Sequence, residues 1–390
     1  MNSAHIFPYV AWLVALFWIW KTITAARGLP GIPDITSPQY DVAPEGSPSL
    51  TVIVPARNEA ADVAACLQSL LRQDYANLQI IAVDDRSTDQ TGAIMEALAA
   101  EHPDKLYVLH ITALPPNWLG KPHAMAFAAR HATSDYLLFT DADILFRPDA
   151  LRRCLAQAVA TNADHFVTLP TPTVKTHGEG MLLGFLQVLG LWATRPWRAD
   201  NPRAKRDFVG IGAFCLLRSS VYQQLGGFEA FHMEILEDLT LARQVKLMEL
   251  RQRVAIAPGL VKVHWAAGAM GVVGVMTKNL FAVFRFHVSF LLMACGWLAL
   301  FYLAPIAFLA WPQTRIPAIV TLAAIALLYR LAGRLSGISA WYVVLFPISA
   351  MLFIYSLLRS MFITLAQGGV TWRGTFYPLA ELRQKKTFVS

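Results

Sequence analysis

The chain has 390 residues, enough for one large domain with additions or for two domains. Hydrophobic residues make up 55% and charged residues only 15%, with a mean hydropathy of +0.43, so part of the chain belongs in lipid; a soluble protein is nearer about a quarter charged. The net charge of +7 has no zinc-finger spacing or basic helix beside it, and basic residues flanking membrane segments account for it; nucleic acid is not an expected partner. Cys66, Cys154, Cys215 and Cys295 are scattered and form no CxxC pair, which excludes a disulfide framework or a thiolate metal site.

Residues Ile6 to Trp20 are almost wholly apolar and aromatic, and Lys21 and Arg27 follow them. A cleaved signal peptide carries its positive charge in front, so this order predicts a retained transmembrane anchor over residues 1–27, with its C-terminal side in the cytoplasm. Residues 28–49, rich in Pro, Gly, Ser and Asp, read as a linker. From Leu50 the chain alternates apolar strands with helical patterns. Strands are predicted at Leu50–Pro55, Gln79–Val83, Leu106–Leu109 and Tyr136–Thr140. Between the first two, Val63, Leu67, Leu70 and Leu71 fall on one helical face, and Ser87-Thr88-Asp89-Gln90 has the form of a capping box for a helix carrying Ile94 and Leu98. Such alternation gives an α/β fold with a mostly parallel sheet.

The stretch Tyr136-Leu137-Leu138-Phe139-Thr140-Asp141-Ala142-Asp143 is a buried strand ending in two carboxylates one residue apart. Ligands of open α/β sheets bind at the carboxyl ends of strands, and two hard oxygen ligands this close suit Mg²⁺ or Mn²⁺ carrying a nucleotide diphosphate. An acidic turn is the plain alternative.

Val54-Pro55-Ala56-Arg57-Asn58-Glu59, Val83-Asp84-Asp85-Arg86-Ser87-Thr88-Asp89, Asp141-Ala142-Asp143, Gly226-Gly227-Phe228 and Glu237-Asp238, in this order, resemble the family 2 glycosyltransferases of the GT-A fold. The resemblance covers residues 50 to 265, and the finer pattern is similar to bacterial lipid, hopanoid and carotenoid transferases and to ceramide glucosyltransferases. It implies an inverting, metal-dependent hexosyltransferase that takes a nucleotide-sugar donor, a UDP-sugar above others. Carried over residue by residue, Arg57, Asn58, Glu59, Asp85, Lys121, Asp141, Ala142, Gly212 and Glu237 would contact the nucleotide-sugar. Asp143 would bind the metal, with His264 as a second candidate ligand, and Asp238 would be the general base. Each has a plainer alternative: Asp85 as a helix cap, Lys121 on the surface, Glu237 and Asp238 as helix-opening acids, and His264 as a satisfied core residue.

The Gln-x-x-Arg-Trp motif of processive members is absent; Met276-Thr277-Lys278-Asn279-Leu280-Phe281 stands in its region, so Lys278 is a candidate substitute cation for the diphosphate. Its absence favours transfer of a single sugar. Met181 to Trp192 is apolar but too short to span, and Arg195, Arg198, Arg203, Lys205 and Arg206 follow with Trp197, a pattern that predicts an element on an anionic membrane surface. Further spans are expected at Ser289–Trp311, Ile316–Tyr329 and Trp341–Leu358. If all three cross, the basic tail with Arg373, Arg383, Lys385 and Lys386 falls on the outer side, against the positive-inside tendency.

The expected organisation is therefore an N-terminal anchor, a linker, a cytosolic GT-A domain at 50–286, a transmembrane region at 287–366 and a basic tail at 367–390. The membrane segments point to a lipid hydroxyl as acceptor and to a bacterial inner membrane. A nucleotidyltransferase and an inactive membrane-bound scaffold are the alternatives. The first normally has a glycine-rich basic loop after its first strand, which Val54–Glu59 lacks.

Overall fold

The structure is a computed structural model describing residues 6–383; Lys385 and Lys386 of the expected tail lie outside the described residues. The chain divides into two units, an α/β unit of residues 32–173 and 196–264, and a helical unit formed by the remainder.

The first helix, α1 (Ile6–Gly28), continues past Trp20. Lys21 and Thr22 are satisfied inside the helical unit, Lys21 Nζ donating to the Trp192 carbonyl at 2.7 Å and Thr22 Oγ1 to the Ala324 carbonyl at 3.1 Å. The expected linker is partly structured. Ile32 and Ile35 are buried, and Ile35 N and Ile256 N donate to the carbonyls of Ile256 and Pro33, both at 3.0 Å, adding this stretch to the edge of the sheet.

Within the α/β unit the order is β1 (Leu50–Ala56), α2 (Val63–Leu71), β2 (Leu78–Asp85), α3 (Thr91–Glu101), β3 (Leu106–Ile111), α4 (Gly120–Ala129), β4 (Tyr136–Phe139), β5 (Ile144–Phe146), α5 (Ala150–Ala160), β6 (His165–Leu169) and β7 (Thr171–Pro172). After α6 (His177–Ala193), which belongs to the helical unit, the chain returns with β8 (Cys215–Arg218), α7 (Ser219–Gln224), α8 (Glu237–Leu247), β9 (Gln252–Ile256) and β10 (Val261–Val263). The central sheet has the order β3-β2-β1-β4-β8-β6-β9, parallel except where β8 runs against β4 and β6. Alternate residues of β1 serve opposite faces, as the pleat requires: Val52 and Val54 pack toward α2, α3 and α5, and Ile53 toward α4, α7 and α8. The chain lays down β1, β2 and β3 in one direction and then places β4 on the other side of β1. The strand order reverses there, so the carboxyl ends of β1 and β4 open the crevice where such sheets bind ligands.

The expected capping box at Ser87–Gln90 does not form. Asp89 does the capping instead: its Oδ1 accepts from Thr91 N and Oγ1. A three-residue spacing to Gln90 does not help when the helix starts one residue later, at Thr91.

The helical unit continues with α9 (Gly268–Val283), α10 (Val288–Leu298), a π-turn at Ala299–Leu303, α11 (Ala304–Phe308), α12 (Pro312–Ser336), α13 (Phe346–Gln367), a hairpin of β11 (Gly369–Trp372) and β12 (Thr375–Pro378), and α14 (Leu379–Leu382). Four stretches, Ile6–Gly31, Val288–Phe308, Pro312–Ser336 and Ala340–Gln367, are helical, long and apolar enough to cross a membrane. The middle one is longer than Ile316–Tyr329 because Arg330 and Arg334 lie inside α12, which ends only at Gly337 in the left-handed conformation (φ 77).

The apolar stretch Met181 to Trp192 lies within a packed helix. Helix α6 buries Met181, Leu182, Phe185, Val188, Leu191 and Trp192 within its own unit, and a Thr176–Glu179 capping box fixes its start. Of the basic residues behind it, Arg198 and Lys205 face acids of the α/β unit, Asp207 at 3.7 Å and Glu249 at 3.6 Å.

Candidate active site

Three strand ends, two helix starts and a glycine loop supply the site. Beyond β1, Asn58 adopts the left-handed conformation (φ 55) and ties two loops together: its N–H donates to Ser87 Oγ at 3.0 Å, and its Oδ1 accepts from Thr88 N at 2.8 Å. Glu59 N donates to Thr91 Oγ1 at 2.8 Å. Asn58 is therefore first a splint between the β1 and β2 loops. At the end of β2, Asp85 is buried and gripped by the guanidinium of Arg86, at 2.7 Å and 2.9 Å. Gly120 opens α4 directly against this pair. A Cβ there would come within 2.6 Å of Asp85 Oδ2 and 2.9 Å of Arg86 Nη2, so only glycine fits without a shift.

The centre of the site is an ion cluster. Lys121 Nζ lies 2.6 Å from Asp141 Oδ1, at the end of β4, and 2.7 Å from Glu237 Oε1, at the first position of α8. Burial works against the Lys121 charge, but Asp141, Glu237 and Asp238 outweigh it and hold its pKa well above the ordinary lysine value. Glu237 is pushed up by its own burial, which the Lys121 charge opposes. Asp238 is the next residue on α8; its Oδ1 accepts from Leu239 N at 2.7 Å. Over this cluster lies Gly212, where a Cβ would stand 3.0 Å from Asp141 Oδ2, 3.1 Å from Lys121 Nζ and 3.7 Å from Asp238 Oδ2. Gly210 meets the backbone of α8, since a Cβ would fall 2.3 Å from the Asp238 carbonyl oxygen.

Asp143 sits two residues past Asp141, with the buried Ala142 between them. Burial, then the charges of Asp141 and Glu59, push its carboxyl up to about 7. β10 runs antiparallel to β5 and their last pair is Val263 with Ile144, so His264 and Asp143 each lie one residue beyond that pair. Among the described residues no group of three or more His, Cys, Asp or Glu could hold a metal by itself.

The sequence motifs gave no hint of the device that holds the glycine loop in place. Gln252 Oε1 accepts from Val209 N, and its Nε2 donates to the Val209 carbonyl, both at 2.9 Å. The second Nε2 hydrogen goes to His165 Nδ1 at 2.8 Å, which leaves the proton on His165 Nε2, 3.4 Å from Cys215 Sγ. Burial pushes His165 down to about 3, so it stays neutral. One buried pair thus pins both ends of the loop from Val209 to Cys215, and Thr140 Oγ1 pins its middle by donating to the Ala213 carbonyl at 2.8 Å.

Asp85, Lys121, Asp141, Asp143, Gly212, Glu237 and Asp238 are therefore brought to one crevice, with Glu59 beside Asp143 and Arg57 in the loop after β1. Lys278 is not part of that unit. It lies on α9 of the helical unit, its ammonium 4.3 Å from the centre of the Trp372 ring.

Residues 51–226 match the family described as Glycosyl transferase family 2. Among curated proteins the chain is similar to the 4,4'-diaponeurosporenoate glycosyltransferase of Staphylococcus aureus strain bovine RF122 / ET3-1, 26% identical over 197 residues, which is 50% of this chain and 50% of that protein. The same enzyme of strain MRSA252 gives the same figures. The chain thus matches about half the length of these relatives. Among solved structures, a mannosyltransferase from Pyrobaculum calidifontis, in complex with GDP-Man and Mn²⁺, has a TM-score of 0.55 at 20% identity, covering 90% of this chain and 98% of that one, a likeness of fold. The fold is of the GT-A type, as the motifs implied.

Proposed function

We propose that this protein is a membrane-bound, inverting glycosyltransferase that moves a single sugar from a nucleotide-sugar to a lipid hydroxyl. The observation that carries the reading is the convergence of Asp85, Lys121, Asp141, Gly212 and the Glu237-Asp238 pair at the reversal of strand order, within the family 2 domain. The relatives from Staphylococcus aureus act on a carotenoid acid by name, which supports an apolar acceptor, and the four long apolar helices support the same class. By the order of Lys21 and Arg27 after the first span, residues 50–265 face the cytoplasm.

The charges of the crevice bear on the metal. One ammonium, Lys121, faces Asp141, Glu237 and Asp238, and Asp143 and Glu59 add further acid, so a diphosphate needs a countercharge here. A hard divalent cation fits that donor set, with Asp143 and His264 as its protein ligands, and the Pyrobaculum neighbour carries Mn²⁺. When bound, the cation neutralises charge building on the leaving diphosphate. Asp85 accepts hydrogen bonds from the nucleoside, Gly212 lets the sugar approach Asp141 and Lys121, and Asp238 takes the acceptor's proton as its oxygen attacks the anomeric carbon. A single displacement inverts that centre without a covalent sugar–enzyme intermediate.

Incubating membranes that contain the protein with a panel of labelled nucleotide-sugars, followed by mass spectrometry of the lipid extract, tests the reading. Release of a nucleoside diphosphate with a glycosylated lipid is expected; pyrophosphate would instead mark a nucleotidyltransferase, and no turnover an inactive scaffold. In the same assay Asp143→Asn loses both donor binding and turnover, because it removes a cation ligand that both require.

The loop clamp gives a separate expectation. Gln252→Leu leaves the half-buried Val209 N–H and carbonyl and the buried His165 Nδ1 without this partner, which costs about 1–3 kcal/mol of stability. Displacement of the Gly210–Gly212 floor by about 1 Å is expected to cost on the order of 10²-fold in kcat/KM. Thermal unfolding and kinetics at a temperature where the variant is fully folded separate the two effects; normal kinetics in the folded variant would show that the clamp serves stability alone.

A further inference from the structure

We propose that the C-terminal hairpin and the turn between α9 and α10 form a surface for the headgroups of anionic phospholipids, and that Phe346–Gln367 lies along the membrane on that same side without crossing. The first ground is adjacency inside the helical unit. Phe281 N, near the end of α9, donates to Ser360 Oγ of α13 at 3.0 Å. Arg383 Nη2, just beyond α14, donates to the Phe286 carbonyl at 2.9 Å, and the Lys278 ammonium stacks on Trp372 of the hairpin. The point where α10 begins and the point where α13 has ended are therefore held together.

Crossings between two adjacent points must be even in number. Val288–Phe308 leads away from this end and Pro312–Ser336 returns to it, with α11 packing against α12 at the turn between them. Those two crossings are already even, which leaves Ala340–Gln367 as an apolar stretch that does not cross, despite its length. Helix α1 agrees with this axis. Ala11 packs with Phe308 and Ala318 at the far end, and Thr22 bonds Ala324 further along α12, so α1 and α12 run in the same direction.

The second ground is charge. Lys21, Arg27, Arg330 and Arg334 all lie toward the near end, and so do Arg285, Arg373 and Arg383; at the far end Arg315 stands at the start of α12. The outer-side tail of a three-crossing arrangement disappears, and the positive-inside tendency is obeyed. Around the hairpin Arg285, Arg373 and Arg383 are exposed, and Val283, Phe290 and Phe376 are exposed beside them at 51%, 52% and 48%. Exposed cations interleaved with exposed apolar side chains match a headgroup layer: phosphate for the guanidinium groups, acyl-chain boundary for the apolar ones. Left-handed backbone at Arg285 and Phe286 (φ 50 and 59), and at Arg373 and Gly374 in the hairpin turn (φ 47 and 76), fixes both loops in tight turns that present these arginines.

The test uses the full chain in nanodiscs of phosphatidylcholine with and without phosphatidylglycerol, with an environment-sensitive dye on Thr371→Cys in a Cys295→Ala background. Spin-labelled phosphatidylglycerol should quench the dye in preference to spin-labelled phosphatidylcholine. Each cation near the surface is worth about fivefold, so changing Arg285, Arg373 and Arg383 to Gln is expected to lower that preference by at least about tenfold. Should the triple variant fail to fold, raising salt with the unchanged arginines must lower the preference in the same direction. In intact cells an impermeant thiol reagent should reach Ala310→Cys and spare Thr371→Cys. A lipid preference that survives both the substitutions and salt, or labelling of Thr371→Cys from outside, overturns the proposal.

Discussion

Asp238→Asn is expected to abolish most sugar transfer while leaving donor and cation binding intact. The substitution is nearly isosteric, and Asn keeps the side-chain oxygen that accepts from Leu239 N. It keeps the Lys121–Asp141–Glu237 cluster too, because Lys121 contacts Glu237 and Asp141 directly and Asp238 only through its field. What is lost is the proton acceptor, and losing a general base costs about 10²–10⁴-fold in rate. Titration with UDP-sugar and Mn²⁺, followed by turnover, should therefore show near-normal binding and a deep fall in kcat. Asp143→Asn contrasts with it by failing at both stages. Transfer at a near wild-type rate by Asp238→Asn would move the base to Glu237 or Glu234.

The parts of this site that could be read from the sequence are those in which local chain geometry places a side chain. A buried strand that stops at a polar residue delivers the next side chains to the sheet's carboxyl edge, so Asp85, Asp141 and Asp143 were legible from strand ends alone. Glu237 and Asp238 were legible as the opening of a helix, and the order of all five motifs named the fold. Pairing across long separations was not legible. Gln252 meets His165 and Val209 only because β6 and β9 lie side by side in one register, 87 residues apart. A glutamine at the start of a strand has no sequence mark of such a task. The grip of Arg86 on Asp85 was hidden for another reason: neighbours in an extended strand point to opposite faces, and only the left-handed turn at Arg86 (φ 59) brings the two together.

Among the membrane segments, composition located the apolar stretches and misjudged their ends. Arg330 and Arg334 looked like a boundary, yet they extend α12 because a long side chain can reach water from inside a helix end. Crossing number depends on tertiary contacts such as that of Arg383 with Phe286, which no window of hydropathy contains. The basic run after Trp192 also has partners that its composition does not show. Asp207 and Glu249, distant or unremarked in the sequence, provide partners for two of its cations.

Lys121→Met should be the most damaging single change in the crevice, and its effect should grow with pH. The ammonium is the contact partner of Glu237, which is almost wholly buried, and of the more exposed Asp141. Removing one partner of a buried ion pair typically costs about 3–5 kcal/mol, and the half-exposed Asp141 places this case near the lower figure. Glu237 already has a raised pKa from burial, and without Lys121 to oppose that rise it goes higher still. A carboxyl whose folded pKa exceeds its unfolded value binds more protons in the folded state, so its contribution to stability is present at low pH and lost as pH rises through the folded pKa. The variant should accordingly lie closer to the wild type at pH 5 than at pH 8 in thermal unfolding. Sugar transfer should fail at both pH values, because a protonated Glu237 restores packing but supplies no cation for the diphosphate. Lys121→Arg keeps the charge and should recover stability across the range. A destabilisation independent of pH would mean that Glu237 is not the group left stranded, and the penalty would then lie in the loss of the lysine stem's packing.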